Sequence, residues 1–191
     1  MEQSRRPEAV KRNAPLLERC VAHSKVNLKE PMVILSDSDI DMLIKEPKTP
    51  PPGLRPLTRL IERSQHLRKD FEITGASGSS FLLAIRQSKL NLFDFSAILG
   101  YRVPGFNTVF RLCRYNGKHR HTNTIEKQAI HDFHIHYATE RYQRLGGMKE
   151  DSFAMATDRY QTLDTAVQCL LDDCGFSSPI GDSPLFSGKI Q

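Results

Sequence analysis

Imidazole side chains, which can move protons or bind metals at neutral pH, are concentrated in one stretch of the sequence. Five of the seven histidines lie between Phe110 and Arg144, and four of these form the two His-x-His pairs 119/121 and 134/136. Lysines and arginines surround both pairs. Because an unperturbed imidazole titrates near neutral pH, this stretch is where acid–base chemistry or metal binding would take place.

The second pair lies in a segment with the alternation of a β-strand, residues 131–137. Residues two apart in a strand project from the same face. We therefore expect His134 and His136 to lie together on an open face, with their apolar neighbours in the core. Arg114 would share that face if the strand that ends near Tyr115 pairs alongside.

The first pair is expected in the connection between these two strands. His119 and His121 follow Asn116 and Gly117 closely. An Asn-Gly step permits a left-handed backbone and a close approach to a ligand. The sequence therefore predicts that both histidine pairs contribute to one site.

Three kinds of function fit such a cluster. In the first, one histidine is the base on a ribose 2′-hydroxyl, another is the acid on the leaving oxygen, and a basic side chain stabilises the phosphorane. In the second, the histidines bind zinc. In the third, the cluster binds RNA, DNA or an acidic protein without catalysis. A structural role, in which the histidines only form hydrogen bonds, is the simplest alternative.

Metal binding is weighed below acid–base chemistry because the neighbouring side chains are cationic. The carboxylates close in sequence are Glu126, Asp132 and Glu140. A divalent cation is stabilised by nearby negative charge. We therefore predict no metal ligand and no cofactor.

The hypothesis of metal-independent RNA cleavage assigns a role to each candidate residue. The predicted catalytic residues are His121, His134 and His136, with Arg114 for the phosphate and Asn123 for orientation. The predicted nucleic-acid-binding residues are basic or aromatic neighbours, namely Arg111, Lys118, His119, Arg120, Arg141 and Tyr142. Tyr142 equally fits an amphipathic residue that packs inward.

The predicted elements form an α+β domain, in which an antiparallel sheet of about four to six strands has helices before and after it. Residues 31–70 are expected to form short helices around a proline-rich connector, the first helix capped by Ser38. Period-two alternation begins at Phe71, and an amphipathic helix is expected over 152–173. We place the core domain at 71–176, a basic leader that is helical or disordered at 1–30, and a flexible tail at 177–191.

Composition limits the class of protein. The chain has 191 residues, 39% of them hydrophobic, which suffices for a core. Its net charge of +5 is only a weak indication of a basic face that would bind a phosphate backbone. Its four cysteines include no C-x-x-C pair, which predicts reduced thiols rather than a disulfide framework. Neither a long apolar run nor a signal sequence is evident, so we expect a cytoplasmic protein without a membrane partner.

Two runs and the C-terminal helix resemble known families. RYNGKHRHTN begins at Arg114, FHIHYATERY begins at Phe133, and an amphipathic helix ends in Cys-Gly-Phe at Phe176. Together they resemble a family of small uncharacterised prokaryotic and phage proteins over residues 71–176. The histidine stretch alone is similar to TumE-type toxins of toxin–antitoxin modules.

The toxin resemblance implies a small cytosolic ribonuclease that binds RNA and is neutralised by a cognate antitoxin. The longer N-terminal region and the acidic C-terminal helix depart from that pattern. They would suit the alternative function, a non-catalytic binding module such as a phage or mobile-element inhibitor of a host defence complex, or a nucleic-acid-binding regulator.

Overall fold

A computed structural model describes residues 33–54, 60–145 and 149–177 of the chain. The described residues from Ile34 onward belong to one compact unit. The leader predicted at 1–30 and nearly all of the tail predicted at 177–191 lie outside the described residues. No helix in the described part of the chain is long and apolar enough to cross a membrane.

The centre of the fold is one antiparallel sheet of seven strands. In chain order these strands are β1 (Ile61–Arg63), β2 (His66–Thr74), β3 (Ser80–Ser88), β4 (Phe95–Arg102), β5 (Val109–Asn116), β8 (His134–Tyr137) and β9 (Phe153–Ala156). They also neighbour one another in that order. The connection between β5 and β8 contains a separate hairpin, β6 (His121–Asn123) and β7 (Gln128–Ile130). The mixed helix and antiparallel-strand architecture is confirmed, but the expected four to six strands were too few.

Three helices accompany the sheet: α1 (Asp37–Lys45), α2 (Glu140–Arg144) and α3 (Leu163–Asp173). The cap of α1 is Ser36, not Ser38 as predicted. Its hydroxyl accepts from the Asp39 amide at 3.1 Å, and the Asp39 carboxylate accepts from the Ser36 amide at 3.2 Å. This reciprocal pair satisfies two groups at the helix start, which a cap at Ser38 would leave unpaired.

Two predicted helices are partly strand. The segment around Leu60 and Ile61 was expected to be helical, but β1 pairs with β2 across a turn at Ser64, which has a φ of 52°. The helix expected over 152–173 is divided into β9, which pairs with β8, and α3, which begins after the cap Thr162. These two short strands account for the excess in the strand count, since sheet pairing overrides a helical spacing of apolar residues.

The core lies between α3 and one face of the sheet. Tyr115 donates to Asp173 at 2.6 Å, and Cys113 lies 3.5 Å from Cys174 at the end of α3. Ile135 is buried on the same face, opposite Tyr115 in the β5–β8 register. Alternation therefore directs Arg114 and Asn116 of β5 and His134 and His136 of β8 to the other face of the sheet.

Candidate functional site

The register of β5 and β8 brings four polar residues together on the face opposite α3. Asn116 lies opposite His134, and Arg114 lies opposite His136. The two histidines are only 0% and 1% exposed, so the expectation of an open face is wrong. The sheet alone would leave them open, but the β6–β7 hairpin and the segment before β9 cover them.

Four imidazole rings from three elements meet at this point. The His134 and His136 ring centres are 4.8 Å apart. The ring centre of His119 is 4.6 Å from that of His134, and the ring centre of His121 is 4.5 Å from that of His136. The structure therefore brings both predicted His-x-His pairs together, with His121 as the first residue of β6 rather than in a loop.

Backbone carbonyls orient the two buried rings. His134 Nδ1 is 2.7 Å from the Asp132 carbonyl oxygen, and His136 Nδ1 is 2.8 Å from that of Asp151. A carbonyl oxygen only accepts, so each Nδ1 carries the hydrogen and donates it. In a neutral ring, Nε2 then presents its lone pair.

Those lone pairs have no donor within the described residues. His134 Nε2, His136 Nε2 and the side-chain oxygen of Asn116 are buried without a hydrogen-bond partner. Leaving a buried acceptor unpaired costs about 1–3 kcal/mol. Three such atoms on neighbouring residues of one sheet face mark a place for a ligand that brings positive charge or donors.

Burial keeps these histidines neutral. It lowers the pKa of His134 to about 4, with further contributions from the neighbouring histidines and Arg114. Burial also lowers the pKa of His136 to about 2, and Arg114 is the next largest cause. Burial and then Arg114 lower the pKa of His119 as well. Neutral imidazole is the metal-binding form, whereas a general acid at neutral pH needs a pKa near 7.

Three of the four histidines are close enough to share one metal ion. One ring nitrogen from each of His119, His134 and His136 lies within 4.8 Å of the others. Tetrahedral zinc with Zn–N distances of about 2.0–2.1 Å needs these nitrogens about 3.4 Å apart. His119 is exposed and precedes β6, so its side chain is the least constrained of the three proposed ligands.

His121 is held beside this group by Asn123. His121 Nε2 lies 3.1 Å from the Asn123 side-chain oxygen and 3.0 Å from the Ser152 carbonyl oxygen. Asn123 is itself buried, and its amide exchanges two hydrogen bonds of 2.8 Å with the backbone of Ala154. Asn123 therefore fastens the hairpin to β9 and orients His121, and it does not face solvent.

The arginines predicted at the site are held by a carboxylate that sequence reasoning missed. Arg114 Nε donates to Asp151 at 2.9 Å, and Arg111 Nη1 lies 3.4 Å from the same carboxylate. Asp151 is 0% exposed, and its backbone carbonyl is the one that orients His136. Asp151 is far from β5 in the sequence, so no local sequence pattern predicts that it contacts these arginines.

The other predicted nucleic-acid contacts lie around the cluster, most of them paired with acids. Lys118 lies 3.1 Å from Asp132, and Arg141 forms an ion pair with Glu126. Arg120 is exposed. Tyr142 is 0% exposed and donates to Glu126 at 2.7 Å, so it packs inward and is not a surface contact.

Gly117 makes a close approach to protein rather than to a ligand. Its φ is not positive, so the chain does not use the left-handed backbone that an Asn-Gly step permits. A Cβ at this position would lie 1.8 Å from the Phe93 carbonyl oxygen. Gly117 therefore lets the chain pass the β3–β4 loop on its way to His119.

Comparison with models of protein families gives a match over most of the chain. Residues 35–174 match the model of a family of unknown function, DUF6978. The match starts well before Phe71, where the predicted resemblance began. No curated protein and no solved structure matches the chain. The expected membership of an uncharacterised family is confirmed.

Proposed function

The chain belongs to a family of unknown function, DUF6978, and we propose that it binds a divalent transition metal, zinc being the best fit, for hydrolytic chemistry. His134, His136 and His119 are the proposed ligands. Imidazole nitrogen is a favoured ligand of zinc. This proposal replaces the prediction that the site has no metal.

The observation that carries the proposal is the pair of unpaired Nε2 atoms on His134 and His136. Each ring donates through Nδ1 to a backbone carbonyl and presents Nε2 to the cluster. A metal-bound histidine commonly has this arrangement, with its second nitrogen donating to a carbonyl or carboxylate. A metal ion would give both buried lone pairs a partner.

Three histidine ligands leave a coordination position for water, as in catalytic rather than structural zinc sites. Zinc lowers the pKa of bound water to about 7 and so supplies hydroxide at neutral pH. A metal held by these three histidines would supply hydrolytic chemistry for RNA, the predicted substrate, in place of acid–base catalysis by two histidines. A prokaryotic or phage origin, a toxin-like role and a cognate protein partner stay predictions.

Metal titration of two matched variants tests the proposal. The full chain, freed of metal with a chelator and then dialysed, is titrated with Zn²⁺ by calorimetry and with Co²⁺ by visible absorbance. We expect one ion per chain and the visible bands of tetrahedral Co²⁺. His119→Ala should weaken Zn²⁺ binding by about 100-fold or more. The reason is that loss of a residue that only hydrogen-bonds to a metal ligand already lowers metal affinity by about 10–100-fold. His131→Ala replaces an exposed histidine outside the cluster and should bind as the parent does.

Two results would contradict the proposal. One is a parent protein that binds no Zn²⁺ although it is folded by circular dichroism. The other is equal loss of affinity in the His119 and His131 variants. RNA cleavage that persists in EDTA and depends on His134 and His136 would instead support metal-independent acid–base catalysis.

A further inference from the structure

We infer that the guanidinium of Arg114 binds an oxyanion of the substrate, and that the substrate is a phosphate ester bound to the metal and Arg114 together. The inference deepens the proposed function and rests on its metal site. It names the side chain that binds the phosphate and widens the substrate class of that site from RNA to phosphate esters.

The position of Arg114 beside the histidines is fixed by the sheet. Arg114 lies opposite His136 in the β5–β8 register, where directly opposite residues have Cα atoms about 4.5–5.5 Å apart. Both side chains project from the face opposite α3. Arg114 is therefore the charged side chain nearest in register to a proposed metal ligand.

Part of the guanidinium is free to bind a ligand. Within the described residues its hydrogen-bond partner is Asp151, to which it donates through Nε at 2.9 Å. Its two terminal nitrogens remain available as donors. The side chain is 24% exposed, whereas His134 and His136 are buried, so it lies on the solvent side of the cluster.

Asp151 fixes the metal ligand and the arginine at the same time. Its carboxylate binds Arg114 and Arg111, and its backbone carbonyl accepts from His136 Nδ1. The carboxylate is 0% exposed, so solvent does not screen these contacts. The spacing between the guanidinium and the Nε2 atom of His136 is therefore set by one residue.

Charge then selects the ligand. A divalent cation next to a guanidinium is repelled by it, and an anion that contacts both relieves the repulsion. A tetrahedral phosphate can give one oxygen to the metal and others to the arginine, and arginines bind phosphate with parallel N–H donors. Arg120, which lies between His119 and His121 in the chain, is exposed and favours an anionic substrate further.

Anion binding by the zinc-loaded protein tests this assignment. Calorimetry compares inorganic phosphate with acetate for the parent, for Arg114→Gln and for Arg68→Gln. Arg68 is a matched control, because its Nε also lies 2.9 Å from a carboxylate, that of Asp70, three strands away. We expect Arg114→Gln to bind phosphate about 10–100-fold more weakly, the range for a lost charge-assisted hydrogen bond. Arg68→Gln should bind as the parent does.

Two further arms identify the source of the phosphate. A nucleoside monophosphate and a short single-stranded RNA are titrated under the same conditions. Tighter binding of the RNA supports a polynucleotide substrate, and equal binding supports a small phosphate ester. Both results agree with the inference.

The inference and the proposed function fail in different ways. Unchanged phosphate affinity in Arg114→Gln, with one zinc retained, would overturn the role of Arg114 alone. Acetate binding as tight as phosphate binding would overturn the phosphate class. A parent protein that takes up no zinc would overturn the metal site and this inference with it.

Discussion

Lowering the pH should destabilise the metal-free protein because of two buried histidines. Burial lowers the pKa of His134 to about 4 and of His136 to about 2, from an ordinary value of 6.5. Below pH 6.5 the unfolded chain therefore binds protons that the folded chain does not. The free energy of unfolding is unaffected by these groups above that pH, and it falls as the pH drops towards the folded-state values.

The expected loss follows from the titration of the unfolded chain. Each histidine that stays neutral in the folded state lowers the free energy of unfolding by about 2 kcal/mol between pH 7 and pH 5. The two histidines together lower it by about 4 kcal/mol, which is a large part of the 5–15 kcal/mol that is typical for the free energy of unfolding of a domain. This magnitude depends only on both pKa values lying below about 4.5.

Urea unfolding in EDTA at a series of pH values between 7 and 5 measures this loss. His136→Gln should remove about half of the pH dependence, because glutamine does not titrate. His131→Gln replaces an exposed histidine and should leave the slope unchanged. A parent whose unfolding free energy is the same at pH 7 and pH 5, or an NMR titration of either buried ring with a midpoint near 6.5, would refute the reasoning.

Two substitutions away from the cluster test how the scaffold supports it. Gly117→Ala should cost more than about 3 kcal/mol and weaken zinc binding, because its Cβ would lie 1.8 Å from the Phe93 carbonyl oxygen; unchanged urea unfolding would show that the close approach is relieved easily. Tyr160→Phe should cost about 1–2 kcal/mol, because the buried hydroxyl donates to the carbonyls of Asn116 at 3.1 Å and His134 at 2.8 Å. If that variant unfolds at the same temperature as the parent, these hydrogen bonds contribute nothing to stability.

Strand alternation predicted which side chains share a face, but not whether that face is open. A period of two puts His134 and His136 on one face of β8 and Arg114 on the matching face at the end of β5, so these three residues could be placed together. Their burial depends on β6 and β7, each three residues long. Strands this short carry too few residues for a period to be detected.

Long-range partners limited the prediction further. Asp151 contacts Arg114 and Arg111 from 37 and 40 residues away, and it orients His136 with a backbone atom that any residue type carries. No side-chain pattern encodes such a contact. The helix expected over 152–173 failed for a related reason, because Phe153 and Ala156 fit a helical spacing while their backbone pairs with β8.

The charges around the histidines oppose a metal ion less in the fold than their order along the chain predicts. The sequence surrounds the histidines with cations, which argued against a divalent ion. In the fold Lys118 pairs with Asp132, Arg141 pairs with Glu126, and one carboxylate, that of Asp151, offsets part of the charge of Arg114 and Arg111. The atoms that would surround the ion include the buried acceptors His134 Nε2 and His136 Nε2, which have no donor within the described residues and which a cation would stabilise. The partly exposed guanidinium of Arg114 then opposes the bare ion and favours an ion that carries an anion, which is why metal and phosphate affinity should be measured on the same protein.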